Sequence, residues 1–525
     1  MIGFLKTRWV LLVGLCVFVL LKLPHLSYPY YWDESWPYAS AIRAMHDHGI
    51  SLLPGALESD LSRGHPLFFH ALAAGWMKVF GAGHVAMHSF ALAISVLFLS
   101  CIYEAGFRMF SQRVGVLAFV LVATQEVFFM QSSYVLLEVL VSLLCFLSLW
   151  SYAKGRYALT ALFLTLLFYT KESGVVLGLV LGLDALVALF RPGGDKKDAV
   201  RRLLTVAVPC ALTAVFFLLQ HKLRGWYIFP FHAEVIEHSW KAIWYKVRMN
   251  CISDVFYRNQ KFWYYLLLLL LAIVAAIKNR RWKYLVLLLP VVMIFYMVDD
   301  MRAGRILPPV PFTLVFIAAW FWMLQVFGSV AVLKEESQRR FFVLGGCFIL
   351  CFLWFSAVNY YTFRYMLAVL VPALFLLAVL FDVLLNATYR AAYYVLFPVV
   401  AVVSYVAFAT NDQIKDTDMG ALSAMAVQQD VVGYLEQEQL YDKTISLTCF
   451  VASKHLTDYA TGFLHYYDRR FSKVQWDINS NTDVVLFDNI EPDTRYEQVK
   501  NDTSFRLMHR YTIGSVWNEV YMRKR

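Results

Sequence analysis

The chain has 525 residues, 60% of them hydrophobic, 17% aromatic and 16% charged, with a mean hydropathy of +0.56 and a formal net charge of +10. An ordinary soluble domain carries about 25% charged and 45–50% apolar residues, so a soluble enzyme, a disordered chain and a secreted disulfide scaffold are excluded. The charge is split as well: residues 1–410 carry a net +14 and residues 411–525 a net −4. This points to a polytopic membrane region followed by a polar domain of near-normal composition.

A helix needs about 20 apolar residues to cross the hydrocarbon core. Apolar runs of roughly that length fall at 8–24, 84–107, 114–130, 134–153, 157–170, 174–190, 203–220, 262–277, 284–298, 307–327, 341–357, 365–386 and 391–410. They predict thirteen spans. The first run lacks a small-residue cleavage site and reads as an anchor. The run at 66–80 is short and carries Lys78, so it is expected at the interface or only part-way in. With that assignment, every second short loop is basic: Lys6/Arg8, Arg108/Arg113, Lys154/Arg156, Arg191 to Arg202, Lys278 to Lys283, Lys334/Arg339/Arg340 and Arg390. Bases gather on the cytoplasmic side of a membrane protein. The N-terminus is therefore expected in the cytoplasm and residues 411–525 outside it. The +10 is largely a topology signal and gives no reason to expect a nucleic-acid partner. Six of the eight cysteines lie in apolar runs. Only Cys251 and Cys449 stand outside them, as a conceivable bridge, and no zinc spacing is present.

This topology places the unusual polar residues on one face. The first outer loop, about 25–83, holds Asp33, Glu34, Arg43, Glu58, Asp60, Arg63, His65 and His70. Glu138 opens the fourth span, Lys171 and Glu172 sit at the turn between the fifth and sixth, and Arg364 opens the twelfth. Asp299, Asp300, Arg302 and Arg305 lie between the ninth and tenth. Ionisable groups at membrane depth are costly and usually functional. A carboxylate pair beside several cations suits displacement of a phosphate leaving group. The acid takes the proton of an attacking hydroxyl, and the cations stabilise the departing charge.

Each residue also has a structural reading. Asp33 and Glu34 are either catalytic or the acids of a helix start before Ile42–Met45. His65 either touches substrate or opens a helix before Pro66. Glu138 is either a helix-start acid or a contact. Lys171 either pairs with Glu172 or meets a phosphate, and Arg364 either snorkels or binds one. The acid pairs Glu58-x-Asp60 and Asp416-x-Asp418 have spacings common by chance. Adjacent residues such as His46, Asp47 and His48 do not face one metal on a helix. The aromatic loop 221–260 contains Val235, Ile236, Trp240, Ile243, Trp244 and Val247, expected to form one apolar helix face in the interface plane. That face would act as an anchor or as a mobile cover. Beyond 410, a helix is expected over 419–439, strands over Ile445–Val451 and Val484–Phe487, and a hairpin from Phe505–Tyr511 to Val516–Met522. Together these form a small α/β domain that covers the site, shapes acceptor access or simply stabilises the fold.

The run Tyr31-Trp32-Asp33-Glu34-Ser35-Trp36-Pro37-Tyr38-Ala39, with Ile42-Arg43-Ala44-Met45, Arg63-Gly64-His65-Pro66-Leu67 and Phe80-Gly81, resembles the first outer loop of the GT-C glycosyltransferases. It is most similar to glycosyltransferase family 39 and its bacterial relatives, the protein O-mannosyltransferases and lipid A aminoarabinose transferases. Leu137-Glu138, Tyr169-Thr170-Lys171-Glu172 and Arg364-Tyr365-Met366-Leu367 with Pro372 extend the resemblance. It implies a polytopic α-helical GT-C-like fold of about thirteen spans with a small outer α/β domain. It further implies a polyprenyl-phosphate-sugar donor, a lipid, glycan or protein acceptor, and inverting transfer of a hexose or pentose outside the cytoplasm, in a bacterial inner membrane. By resemblance Asp33 is the general base and Glu34 the second acid. Arg63, His65, Glu138, Lys171 and Arg364 are the substrate-binding candidates. Where some relatives have Lys-Pro-Pro, this chain has His65-Pro66-Leu67. The resemblance requires no cofactor, although a divalent cation is compatible with it. The competing readings are a lipid-linked oligosaccharide ligase or polymerase, a polytopic lipid or glycan transporter, and a non-catalytic scaffold.

Overall fold

The computed structural model describes the chain apart from residues 1, 259, 281, 303–308, 328–332, 389, 412, 448–449, 492 and 525. Among the described residues, seven helices are long and apolar enough to cross a membrane: Arg8–Ser27, His84–Met109, Glu172–Phe190, Lys196–Arg224, Lys261–Asn279, Glu336–Val358 and Phe363–Ala387. Six shorter apolar helices accompany them: Gln112–Ala123, Glu138–Ala153, Tyr157–Phe168, Tyr284–Ile294, Leu314–Phe327 and Tyr393–Phe408. Each of the thirteen apolar runs therefore forms a helix. Two helices stop clearly short of their runs, because the chain leaves helical geometry there. The run at 114–130 breaks into Gln112–Ala123 and Glu126–Gln131, and the run at 134–153 becomes helical only at Glu138. These breaks free backbone groups that later serve the site.

Phe363–Ala387 is the central helix, 89% buried along its apolar window. Peripheral helices instead present large apolar side chains outward, such as Val187 at 70% and Phe190 at 77% exposure. That is the pattern of helices facing lipid, where water gives no reason to hide them. The helices His84–Met109 and Gln112–Ala123 touch backbone to backbone. A Cβ on Gly106 would stand 2.6 Å from the Gly115 Cα, so only glycine permits this approach. Phe68–Phe80 forms a separate helix with Leu72, Val79 and Phe80 exposed. It starts at Phe68 rather than at Pro66, with Leu67 as its cap residue.

The segment after Arg224 differs from its expectation. The helix Pro230–Glu234 ends, and a new one, Trp240–Lys246, begins at the Ser239 cap, where the hydroxyl accepts from Ala242 N. Val235 and Ile236 therefore do not share a helix face with Trp240 and Trp244. The latter two rings pack on Trp354, and a π-helical turn, Val247–Ile252, follows with Arg248 and Cys251 buried. Cys449, Arg305 and the side chains of Asp299, Asp300 and Arg302 lie outside the described residues.

The C-terminal part is a five-stranded sheet. Its strands are β1 (Ile445–Ser446), β2 (Val474–Gln475), β3 (Val484–Asp488), β4 (Phe505–Ile513) and β5 (Val516–Arg523), in the order β2-β1-β3-β5-β4. β1 runs parallel to β2 and β3, while β3–β5 and β4–β5 are antiparallel. The helix Gly420–Gln437 lies against the hairpin, as its apolar periodicity requires. The strand expected over Ile445–Val451 is only two residues long, and the chain is helical again over Phe450–Thr457. β-Branched composition signals a strand but does not set its end.

Candidate active site

Arg364 stands in a short 3-10 turn, Phe363–Met366, at the start of the central helix. Its side chain is 4% exposed. One terminal nitrogen donates to Asp33 Oδ2 and the other to Asp416 Oδ2, while Nε lies 3.5 Å from Glu138 Oε1. Glu138, 3% exposed, also lies 3.5 Å from Lys171 Nζ, which sits 3.5 Å from the centre of the Tyr365 ring. Two cations and three carboxylates thus form one cluster. Ions this buried survive only when paired, since desolvation costs several kcal/mol each. The pairing is incomplete: Glu138 Oε2 has no hydrogen-bond partner among the described residues.

Asp33 differs from its neighbours in access. Its side chain is 25% exposed, whereas those of Asp416, Glu138 and Lys171 are 6%, 3% and 9% exposed. It lies in the turn Trp32–Glu34, where Trp32 has φ 55°, a left-handed backbone that a bulky residue rarely adopts. Glu34 is 0% exposed and holds this turn. Its Oε1 accepts from Val135 N at 2.6 Å and lies 2.9 Å from His88 Nε2, and its Oε2 accepts from Tyr31 N at 3.2 Å. His88 is in turn fixed through Nδ1, 2.9 Å from Leu26 O. The carboxyl of Glu34 is thus fully engaged in tying the loop to the non-helical stretch before Glu138. Asp33 and Glu34, neighbours in sequence, face different surroundings.

A second wall is formed by the rest of the loop. His65 Nδ1 lies 2.9 Å from Glu172 Oε2, and Phe68 N donates to Tyr169 O at 2.8 Å. These bonds bring Arg63–His65 to the Lys171–Glu172 turn. Arg63 caps a helical turn in left-handed geometry and stacks over Trp36 at 4.8 Å. The His232 ring lies 5.1 Å from His65. Burial first, and the neighbouring His65 second, push the His232 imidazole down to about 4, so it is neutral at pH 7. Behind this wall His70 stacks on Tyr38 with neither ring nitrogen hydrogen-bonded among the described residues. Burial pushes it down to about 3.

Asp416 was not legible as a site residue: Asp416-x-Asp418 reads as a chance acid pair. The linker that carries it is clamped. Gln131 Nε2 donates to Asp416 O at 2.9 Å, Tyr31 Oη donates to Ile414 O at 3.0 Å, and Glu126 accepts from Asn411 Nδ2 and Met419 N. His88 was also missed, because it lies in an apolar run. Among the described residues no group of three or more His, Cys, Asp or Glu could hold a metal. The carboxylates that converge do so on the Arg364 guanidinium, which already fills the cation position. This donor set does not fit a divalent ion.

The fold and this charge cluster define an integral membrane protein of the polytopic α-helical class, with a buried charge cluster and a small α/β domain. No protein-family model matches the chain, and no curated protein matches it. Among solved structures it is similar to ArnT from Cupriavidus metallidurans in the apo state, at 14% identity and a TM-score of 0.44, over 98% of each chain. It is also similar to the archaeal oligosaccharyltransferase AglB from Archaeoglobus fulgidus, solved with an inhibitory peptide and a dolichol-phosphate. There the identity is 11% and the TM-score 0.40, over 92% of this chain and 70% of that one. Likeness at this level carries nothing about chemistry, which must come from the pocket itself.

Proposed function

We propose that the chain is a membrane glycosyltransferase that moves one sugar from a polyprenyl-phosphate donor to an acceptor hydroxyl, on the outer face of a bacterial inner membrane. One observation carries this reading: the one partly exposed carboxylate of the cluster, Asp33, lies directly against Arg364, with Lys171 close behind. The first-loop resemblance and the alternation of basic loops support it. Asp33 takes the proton of the acceptor hydroxyl, and the acceptor oxygen bonds to the sugar's C1. The C1–O bond to phosphate breaks, its electron pair leaves with the polyprenyl phosphate, and the configuration at C1 inverts. Arg364 and Lys171 stabilise the leaving phosphate, with Arg63 and His65 on the adjoining wall. Arg364 touches Asp33 before substrate arrives, so donor phosphate has to draw the guanidinium away and thereby frees the base. Glu34 acts as a positioning residue, since its oxygens are occupied.

The test begins with the lipid-linked sugar that accumulates in cells lacking the protein. Purified wild type should transfer it with inversion. Asp33→Asn should retain donor binding but lose roughly 10²–10⁴-fold in turnover. Lys171→Met should raise the donor KM. Unaltered transfer by Asp33→Asn overturns the assignment of the base.

A further inference from the structure

A cavity of about 230 Å³ lies between the helix Tyr38–His48 and the C-terminal domain. Its lining includes Tyr30, Ser40, Arg43 and Asp47 from the loop, and Asp458 and Thr461 from the domain. The two walls are joined where Tyr30 N donates to Thr461 O at 2.8 Å. Tyr30 is itself fixed from behind, its ring 4.6 Å from His84 and 5.4 Å from His88. Glu34, which holds the Asp33 turn, bonds the same His88. The cavity is therefore built on the scaffold that places Asp33, but it lies outside the charge cluster.

Its chemistry is specific. The Arg43 side chain is half-buried and makes no hydrogen bond or ion pair, and the Ser40 hydroxyl makes no hydrogen bond, among the described residues. Asp47 is engaged at one oxygen with His46 Nδ1, and Asp458 at one oxygen with Ala460 N, so the second oxygen of each has no hydrogen bond among the described residues. One cation and two acids do not sum to an anion site. They offer alternating donors and acceptors, which suits neighbouring hydroxyls that both give and accept hydrogen bonds. Drug-sized ligands occupy pockets of about 300–1,000 Å³, so this one suits a single sugar ring. Tyr459 lies between the lining residues Asp458 and Ala460, and its ring is 5.3 Å from Tyr467. Tyr459 is 43% exposed and Tyr467 is 85% exposed. Exposed tyrosine rings beside a polar hollow offer aromatic surface against which the C–H groups of a second sugar can pack.

We infer that this cavity holds one sugar unit of the acceptor, so that the acceptor class is a saccharide or glycolipid rather than a protein or a simple lipid. Arg43, Asp47 and Asp458 bond its hydroxyls, and Tyr459 and Tyr467 stack the adjoining unit. The assignment as an acceptor subsite rests on the transferase reading above, but the sugar binding can be measured without any transfer.

Saturation-transfer NMR on the full-length protein in detergent reads it directly. The probes are methyl α-glucoside, methyl β-maltoside, inorganic phosphate and a triglycine peptide. Both glycosides should receive saturation, the maltoside more strongly, and phosphate and triglycine should not displace them. Arg43→Gln should weaken glycoside binding roughly tenfold. Ser40→Trp, which fills the cavity, should abolish it, and Tyr467→Ala, at a highly exposed site, should remove only the maltoside's advantage. Asp33→Asn should leave binding intact. Glycoside binding unchanged in both Arg43→Gln and Ser40→Trp overturns the inference, as does displacement by phosphate or triglycine. Transfer without glycoside binding sinks this subsite and leaves the transferase reading standing. Glycoside binding in a protein that transfers nothing keeps the sugar site and sinks the transferase reading with the acceptor role.

Discussion

Asp33 and Arg364, 331 positions apart in the chain, form an ion pair through Asp33 Oδ2 and Arg364 Nη2. Arg364 meets Asp416 through its other terminal nitrogen, so one guanidinium joins the first loop, the central helix and the linker to the sheet domain. Arg364→Gln leaves Asp416 and Glu138 buried beside a neutral group, a change that costs roughly 3–5 kcal/mol. Thermal unfolding in detergent should show the loss. Asp416→Asn in the same chain should recover about 1–3 kcal/mol of it, because the two residues share one interaction. Strictly additive losses would show that the guanidinium does not hold the linker.

Glu34→Gln separates a positioning acid from a reacting one. The carboxylate accepts from two backbone N–H groups and meets His88. An amide turns one NH2 toward those donors and forfeits about 1–3 kcal/mol. The expected result is a lower unfolding midpoint and a lower kcat, with the pH profile of transfer unchanged in shape. A profile that loses one limb would instead make Glu34 a proton carrier.

The site was legible where charge contradicts its surroundings. Lys171 and Arg364 stand out because they are charges at the edges of apolar runs, and Asp33 because it lies in a carboxylate pair of the first outer loop. His88 was hidden for the converse reason: within the helix His84–Met109 it reads as a tolerated polar residue, and only the fold reveals Glu34 against it. Asp416 was hidden by composition, since an acid in a polar linker is unremarkable until the linker is seen pinned by Gln131 and Tyr31. The thirteen apolar helices follow from run length alone. The end of β1 and the split at Ser239 do not, because a turn set by tertiary packing leaves no periodic trace.

Gly64→Ala tests the wall around Arg63 and His65. Gly64 has φ +76°, and an added Cβ would stand 2.9 Å from Trp226 Cζ3 and 3.2 Å from Phe229 Cβ. The left-handed backbone alone costs an alanine roughly 1–2 kcal/mol, and the aromatic segment must also move away. Limited proteolysis should cut the segment 225–240 faster in the variant, and the donor KM should rise severalfold. Unchanged proteolysis would mean that the segment does not lean on this glycine.

The sheet domain carries two buried groups whose effects on acid stability oppose each other. His455 stacks on Phe463 at 3.7 Å with both ring nitrogens lacking a hydrogen-bond partner among the described residues, and burial pushes it down to about 3. The unfolded chain takes up this proton near pH 6.5 and the folded chain does not, so stability is lost as pH falls from 6.5 towards 3. By pH 4 the loss is roughly 3 kcal/mol. Asp488 is also buried, and burial pushes it up to about 6 although its Oδ1 accepts from Ile490 N and Glu491 N. Here the folded chain holds the extra proton, so stability is gained as pH falls from 6 towards 3.8, by roughly 2–3 kcal/mol. The two slopes nearly cancel in the wild type. His455→Phe should therefore leave a protein that gains stability relative to wild type on acidification from pH 7 to 4. Asp488→Asn should be the more stable variant at pH 7 and lose that advantage by pH 4. Unfolding midpoints of the full-length chain across this range check both signs. Parallel curves for the two variants would show that neither group titrates differently on folding.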